Sequence, residues 1–279
     1  GKQPIVYSGW EDPKNAEWEE ENKTFRMEAG KYLVDSCLVN PSNGQIANLT
    51  EVERVSHYNT GVFPWPNDPK RFGFTALING ESHPFSMKLD GTDKRDLSRG
   101  AGFTYGFNAS PNGKQIAYHK DYQIYLAGAD GGNPKKIETG NPFNFGPTWS
   151  PNGQWVLFVS GEHYNCHPCV VRRDGTGLRK IAERGGYEGV TLFLDVPDFH
   201  EGSSDTPIWS QDGMWVYYAA KVGEAVELMR ASLDGKVEQL SHSAPGVRHY
   251  HPKPSPDGQW LLFGATRDSV RQLYVSRID

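Results

Sequence analysis

Several features that mark common functional classes are missing from this sequence. Three cysteines in 279 residues, Cys37, Cys166 and Cys169, are too few for a disulfide framework and leave the redox compartment open. No stretch approaches the roughly eighteen apolar residues that a membrane-spanning helix needs, and no signal-peptide series is present. The chain starts at Gly1 rather than Met, so removal of a targeting segment is compatible with it and the location stays open. There is no run of Lys or Arg, and the net charge is −5, which makes nucleic acid an unexpected partner. A Gly-x-x-x-x-Gly-Lys phosphate loop, a dinucleotide glycine fingerprint and a Gly-x-Ser-x-Gly elbow are all absent, so no nucleotide cofactor and no serine-esterase chemistry are expected.

Aromatic residues and turn formers are plentiful. Aromatics make up 12% of the chain, with 8 Trp and 13 Tyr, and there are 31 Gly and 19 Pro. That composition suits many short strands joined by tight turns and disfavours a helical protein. Self-similarity then defines the architecture. One turn is written as Trp149-Ser150-Pro151-Asn152-Gly153 and echoed at Ser110 to Gly113, Trp209 to Gly213, Ser255 to Gly258 and, more weakly, Trp65 to Asp68. A short apolar strand follows the four strong copies. A second turn is Asp-Gly at 90–91, 130–131, 174–175 and 234–235, with Asn43-Gly44 as its first copy, and it predicts two-residue hairpins with positive φ.

Two turns per unit give four antiparallel strands, which is a propeller blade. The expected fold is therefore all-β, one six-bladed β-propeller over 1–279, with blades at about 1–50, 55–98, 103–139, 143–182, 204–241 and 247–279. The second-turn glycines at 175 and 235 are spaced more widely than the others, which marks an insertion at 183–206 that is expected to cover the channel mouth. Pro4 to Ser8 is a lone strand that should join a terminal blade, because an open sheet edge invites aggregation.

The Gly-rich turns belong to one face of such a disc, and all nine histidines map to the opposite face, where loops carried on a rigid scaffold collect binding residues. His249 and His251, two apart on an expected inner strand, should point to the same side and supply half of a metal site. His200 and Asp205, from the insertion, are candidates for the remaining ligands. The ligand-binding candidates around them are His57, Tyr58, His119, Tyr122, His163, Lys221, Arg248 and Arg267. Within His163-Tyr164-Asn165-Cys166-His167-Pro168-Cys169 the spacings would suit a zinc site, a disulfide or plain burial of Cys169, with a structural role favoured.

The repeated Trp-Ser-Pro-Asn-Gly turn, followed by an apolar strand and a run such as Gln123 to Ile137, resembles TolB-like propellers over nearly the whole chain. His249-Tyr250-His251-Pro252-Lys253-Pro254-Ser255-Pro256-Asp257-Gly258, continued through Leu273-Tyr274-Val275, is similar to the end of oligogalacturonate lyases. The lyase likeness implies a manganese-type metal on the His-x-His, which neutralises a uronate carboxylate while a histidine takes the adjacent proton for β-elimination. The chain departs from that family at Gly146, where the catalytic histidine is expected, at Thr206 in place of a metal histidine, at Gly246 in place of a glutamine, and in blade number, since those lyases have seven. Two functions follow as expectations: a binder of a carbohydrate or peptide ligand through a divalent metal (Mn, Zn or Ca), and a metal-assisted lyase acting on uronate sugars. The resemblance also implies a periplasmic or secreted location.

Overall fold

A computed structural model describes residues 5–9, 13–23, 35–50, 62–78, 81–98, 104–162, 165–187, 205–267 and 269–278. The regular secondary structure of the described residues is almost entirely β. The first sheet contains β1 (Ile5–Gly9), β2 (Asp35–Val39) and β3 (Ile46–Asn48), and β1 pairs antiparallel with β2, with Tyr7 opposite Cys37. The N-terminal strand thus joins the first sheet. Between β1 and β2 lies the one helix among the described residues, α1 (Pro13–Asn22). Pro13 occupies its first position, where a missing N–H costs nothing.

Four-stranded antiparallel sheets follow. β4 (Phe63–Pro64), β5 (Arg71–Ile78), β6 (Glu81–Lys88) and β7 (Arg95–Asp96) form the second. β8 (Thr104–Ala109), β9 (Gln115–Lys120), β10 (Gln123–Gly128) and β11 (Lys135–Lys136) form the third, and β12 (Phe143–Trp149), β13 (Trp155–Glu162), β14 (Asn165–Arg172) and β15 (Arg179–Lys180) the fourth. The last sheet carries β16 (Ile208–Trp209), β17 (Trp215–Val222), β18 (Ala225–Ser232) and β19 (Val237–Gln239), joined to β20 (Arg248–Pro254), β21 (Trp260–Arg267) and β22 (Val270–Arg277) by one parallel bridge between Val226 and Arg248. Two compact units result, Gly1–Asp121 with Ala127–Pro134, and Tyr122–Leu126 with Lys135–Asp279.

The repeated first turn has a physical cause. In the fourth sheet Ser150 Oγ donates to Asn152 Oδ1 at 2.8 Å and accepts the Trp155 N–H at 3.0 Å, while Asn152 Oδ1 also accepts the Gln154 N–H at 3.0 Å. Serine and Asn or Asp are needed two apart because together they satisfy the backbone donors that the turn leaves unpaired. The same box recurs around Ser110, Ser210 and Ser255.

The second turn differs from expectation. Arg172 N–H bonds to Thr176 O, and Gly175 N–H bonds back to Arg172 O, so the loop has three residues. Gly175 takes the positive φ, +82°, while Asp174 does not and instead accepts two hydrogen bonds from Thr176. Asp-Gly here serves a type I turn with a glycine bulge, not a two-residue hairpin.

Successive sheets seal one another in the second unit. Leu157 and Val170, cross-strand partners on β13 and β14, are buried with Trp209, Val216 and Tyr218 of the following sheet. The repeat places Leu262 and Val275 in the same relation on β21 and β22, yet these are 41% and 61% exposed, and Leu273 is 76% exposed.

Candidate functional site

The second unit gathers its polar chemistry where β20 enters the last sheet. A β-bulge between Tyr250 and Lys253 interrupts the β20–β21 register, and His251 adopts φ +52°, a conformation that costs a non-glycine residue of order 1–3 kcal/mol and clusters at functional sites. The regular alternation expected to put His249 and His251 on one side therefore does not hold. His249 is buried, while His251 is half-exposed.

His249 packs edge-to-face against Phe263, with ring centroids 5.3 Å apart, and its Nδ1 lies 2.8 Å from Val226 O. A carbonyl only accepts, so Nδ1 carries the proton and Nε2 the lone pair. Burial lowers the His249 pKa, the Val226 bond and Glu227 at 3.6 Å oppose that, and Arg267 adds to the lowering, so the ring stays neutral. Glu227, also buried, accepts the Ser243 N–H at 2.6 Å and a hydrogen bond from Ser241 Oγ, which pins the approach to β20.

His251 is oriented by Asp205, whose Oδ1 accepts the His251 backbone N–H at 3.1 Å and lies 3.2 Å from Nδ1. Asp205 Oδ2 accepts the Tyr187 hydroxyl at 2.8 Å and lies 3.8 Å from Arg184 Nη2. Burial alone would raise the Asp205 carboxyl, but the His251 bond, the Arg184 charge and the Tyr187 bond outweigh it and hold the group below its usual range as an anion. Arg184 also donates to Ala219 O at 2.8 Å and stacks 4.4 Å over the Tyr187 ring. Tyr187 and Asp205 lie near the two ends of the 183–206 insertion, so this hydrogen bond clasps those ends together.

The remaining candidates fall in several places. Arg267, on β21, stacks 4.4 Å over Tyr274, and Arg248, beside His249 on β20, sits opposite Thr266. Lys221 is exposed, with its backbone N–H bonded to Arg184 O. Tyr122 packs edge-on against Phe143 and Phe145, and burial raises its hydroxyl. His119 belongs to the first unit and lies against Gly106. His57, Tyr58, His163 and His200, with most of the insertion, lie outside the described residues. Among the described residues no three His, Cys, Asp or Glu side chains converge as a metal cage. Both Cys166 and Cys169 are free and buried, and their spacing of three along β14 turns them to opposite faces, so the disulfide alternative is excluded.

Sequence reasoning missed Arg184, Tyr187 and Glu227. The one available signal was Gly185-Gly186 after β15: a Cβ on Gly185, at φ +60°, would lie 2.3 Å from Lys221 O, so the backbone must pass close there.

No family model matches the sequence. In structure, the chain is similar to an oligogalacturonate lyase from Vibrio parahaemolyticus (TM-score 0.60, 16% identity, 86% of this chain and 70% of that one). It is also similar to an oligogalacturonate lyase in complex with manganese (0.55, 13%, 90% and 84%) and to a putative TolB from Agrobacterium tumefaciens (0.53, 20%, 90% and 87%). In sequence, it is 25% identical to dipeptidyl-peptidase 5 of Porphyromonas endodontalis over 218 residues, 73% of this chain and 29% of the peptidase. An uncharacterized protein of Agrobacterium fabrum is 36% identical over 64 residues, 23% of this chain and 21% of that protein. The chain thus spans less than a third of the length of the curated relatives it matches. The fold is that of the TolB-like β-propellers, with resemblance to the oligogalacturonate lyases.

Proposed function

We propose that this TolB-like propeller fold is a six-bladed ligand-binding module, which takes a carbohydrate or peptide ligand at the His249 and His251 site through a divalent metal. The observation that carries the proposal is that each ring, although the two differ in burial and do not share a side of β20 by regular alternation, is held at Nδ1 by an acceptor. Val226 O holds Nδ1 of His249 and Asp205 holds Nδ1 of His251, which leaves each Nε2 as the donor nitrogen; buttressed imidazoles of this kind are what metal sites use. The donor set fits a divalent ion in kind. Both Asp205 oxygens are already engaged, so its role here is to orient His251. A bound metal would supply a Lewis acid for an anionic ligand group such as a uronate or peptide carboxylate.

Two names support the ligand classes. Neighbours of this fold act on oligogalacturonate and one is a manganese complex, while a sequence relative is a dipeptidyl-peptidase. The TolB and lyase likeness also supports a periplasmic or secreted location. The lyase reading is second. It is disfavoured by Gly146, at φ +58°, where a side chain would collide with Thr206, so an imidazole base has no room at the position the lyase resemblance assigns it.

The test is metal analysis of the purified protein with and without chelator, followed by binding of oligogalacturonate and of peptides. Ultraviolet absorbance of an unsaturated product reports elimination. Ligand binding that needs metal and is lost in His251→Ala, with no product formed, supports the binder. Product formation favours the lyase, and binding indifferent to chelator removes the metal.

A further inference from the structure

The strand sets β4–β7, β8–β11, β12–β15 and β16–β19 each end in a short fourth strand. The attachment repeats. The apolar residue that follows the strand gives its backbone N–H to a carbonyl of the third strand, as Ile181 does to Pro168 O at 2.9 Å and Leu240 to Leu228 O at 2.8 Å. Among the described residues β22 has no such strand beside it, and it carries the exposed Leu273 and Val275.

The register identifies what the edge of β22 lacks. Trp155 lies opposite Arg172, and Trp260 opposite Arg277, so Leu273 stands where Pro168 stands and Val275 where Val170 stands. In the fourth sheet Ile181 meets Pro168, and Arg179 lies opposite Val170. Residues two apart share a face, so Arg179 and Ile181 lie on the side of Trp155, and the Arg179 guanidinium sits 5.0 Å over the indole. Lys236, just before β19, sits 5.5 Å over Trp215 in the same way. Trp260 is 45% exposed, and among the described residues no cation lies over it. The missing element is a strand with Arg or Lys two positions before Ile or Leu.

β22 itself carries that pattern, as Arg271-Gln272-Leu273. We propose that β22 pairs antiparallel with β22 of a second copy of this chain, across a two-fold axis at Leu273, so that each copy supplies the other's fourth strand. Leu273 then faces its counterpart as a hydrogen-bonded pair, in the part that Ile181 takes opposite Pro168. Arg271 falls opposite Val275 of the second copy, as Arg179 falls opposite Val170, and its guanidinium reaches Trp260. Gln272 faces Tyr274 and Val270 faces Ser276, so no two arginines are opposed. Moving the axis one residue to Tyr274 would set Arg271 against Arg277, and like charges directly opposite destabilise a strand pair. An isologous contact of this kind occupies both edges and stops at two copies.

Sedimentation of the whole chain over a range of concentrations should show a monomer–dimer equilibrium. Val275→Pro deletes an N–H on the outer edge of each copy and leaves the β21 ladder intact, and it should weaken the dimer roughly 10–100-fold. Arg271→Gln and Trp260→Leu should each weaken it about 5–30-fold, because a dimer contains the contact twice, and the double variant should lose no more than either single one. Leu273→Cys should cross-link to its counterpart under mild oxidation, since a hydrogen-bonded pair sets the two Cα atoms about 5.5 Å apart, within disulfide reach. Gln272→Cys should not, because its counterpart is offset along the strand beyond that reach. A chain that sediments as a monomer at every concentration overturns the proposal, and so does a dimer unaffected by a folded Val275→Pro. If Val275→Pro fails to fold, the cysteine variants decide, since both positions are exposed, and cross-linking of Gln272→Cys as readily as Leu273→Cys overturns the pairing.

Discussion

Gly146 and Thr206 lie against each other: a Cβ on Gly146 would stand 2.4 Å from the Thr206 methyl carbon, and Gly146 has φ +58°. These are two of the positions at which the chain departs from the oligogalacturonate lyases, and they form a single contact. Gly146→Ala therefore carries two penalties, one for a left-handed backbone and one for the collision, and should cost about 1–3 kcal/mol. Thr206→Ser removes the methyl, so it should restore the steric part alone. A thermal-unfolding double-mutant cycle in which the two changes simply add would refute the coupling.

Asp205 holds His251 and the ends of the insertion at once, and Arg184, 3.8 Å from it, is as buried as it is. Asp205→Ala should cost about 3–5 kcal/mol, because it strands a buried guanidinium. His251→Ala removes a half-exposed ring and should change stability far less. Urea unfolding of the two variants distinguishes these outcomes, and equal losses would mean that Asp205 serves His251 alone.

Two acid-side contributions to the pH dependence should come from this site. His249 titrates below its ordinary value of 6.5 because burial penalises the cation, so the folded chain binds fewer protons than the unfolded one. Its stabilisation is complete above that value and is lost as pH falls through the lowered folded pKa. Asp205 behaves alike but lower, with stability complete above the usual 3.8 and lost as pH falls through its own depressed pKa. His249→Gln should reduce the loss in the histidine window, where buried His167 also titrates below its ordinary value, and leave the carboxylate loss, as followed by thermal melting across pH 3 to 8 (roughly the window set by these groups).

Each serine turn box is local, so its removal should be felt in one sheet. Ser150→Ala deletes the acceptor of the Trp155 N–H and the donor to Asn152, and should cost about 1–2 kcal/mol. Ser110→Ala should cost a similar amount, and the two should add within a few tenths of a kcal/mol because the boxes share no partner. Strong non-additivity in denaturant unfolding would count against this independence.

The fold was legible because its signal repeats: Ser-x-Asn/Asp-Gly is a hydrogen-bonding requirement of one turn, so each copy reports a strand pair independently of context. The three-residue hairpins were misjudged since Asp-Gly satisfies both hairpin types, and only the register of Arg172 with Thr176 separates them. At the site, His249 and Asp205 stood out by residue type. The bulge at His251 did not, because β20 alternates in sequence as a regular strand would. Arg184 and Tyr187 were invisible for a different reason: an arginine reads as surface until the packing around it is known, and its partner Asp205 is far away along the chain. Helix α1 was overlooked because its acidic run reads as a solvated loop.

The uncovered side of β21 and β22 has a consequence for how the chain is made. Each sheet of the second unit hides the aliphatic face of the one before it, as Trp209 and Val216 hide Leu157 and Val170. A chain emerging from the ribosome thus masks its adhesive surfaces in order, and Leu262, Leu273 and Val275 are synthesised after all the others that are masked in this way. That aliphatic surface is then made after the faces before it have begun to fold, which narrows the interval in which it competes with them for a wrong neighbour.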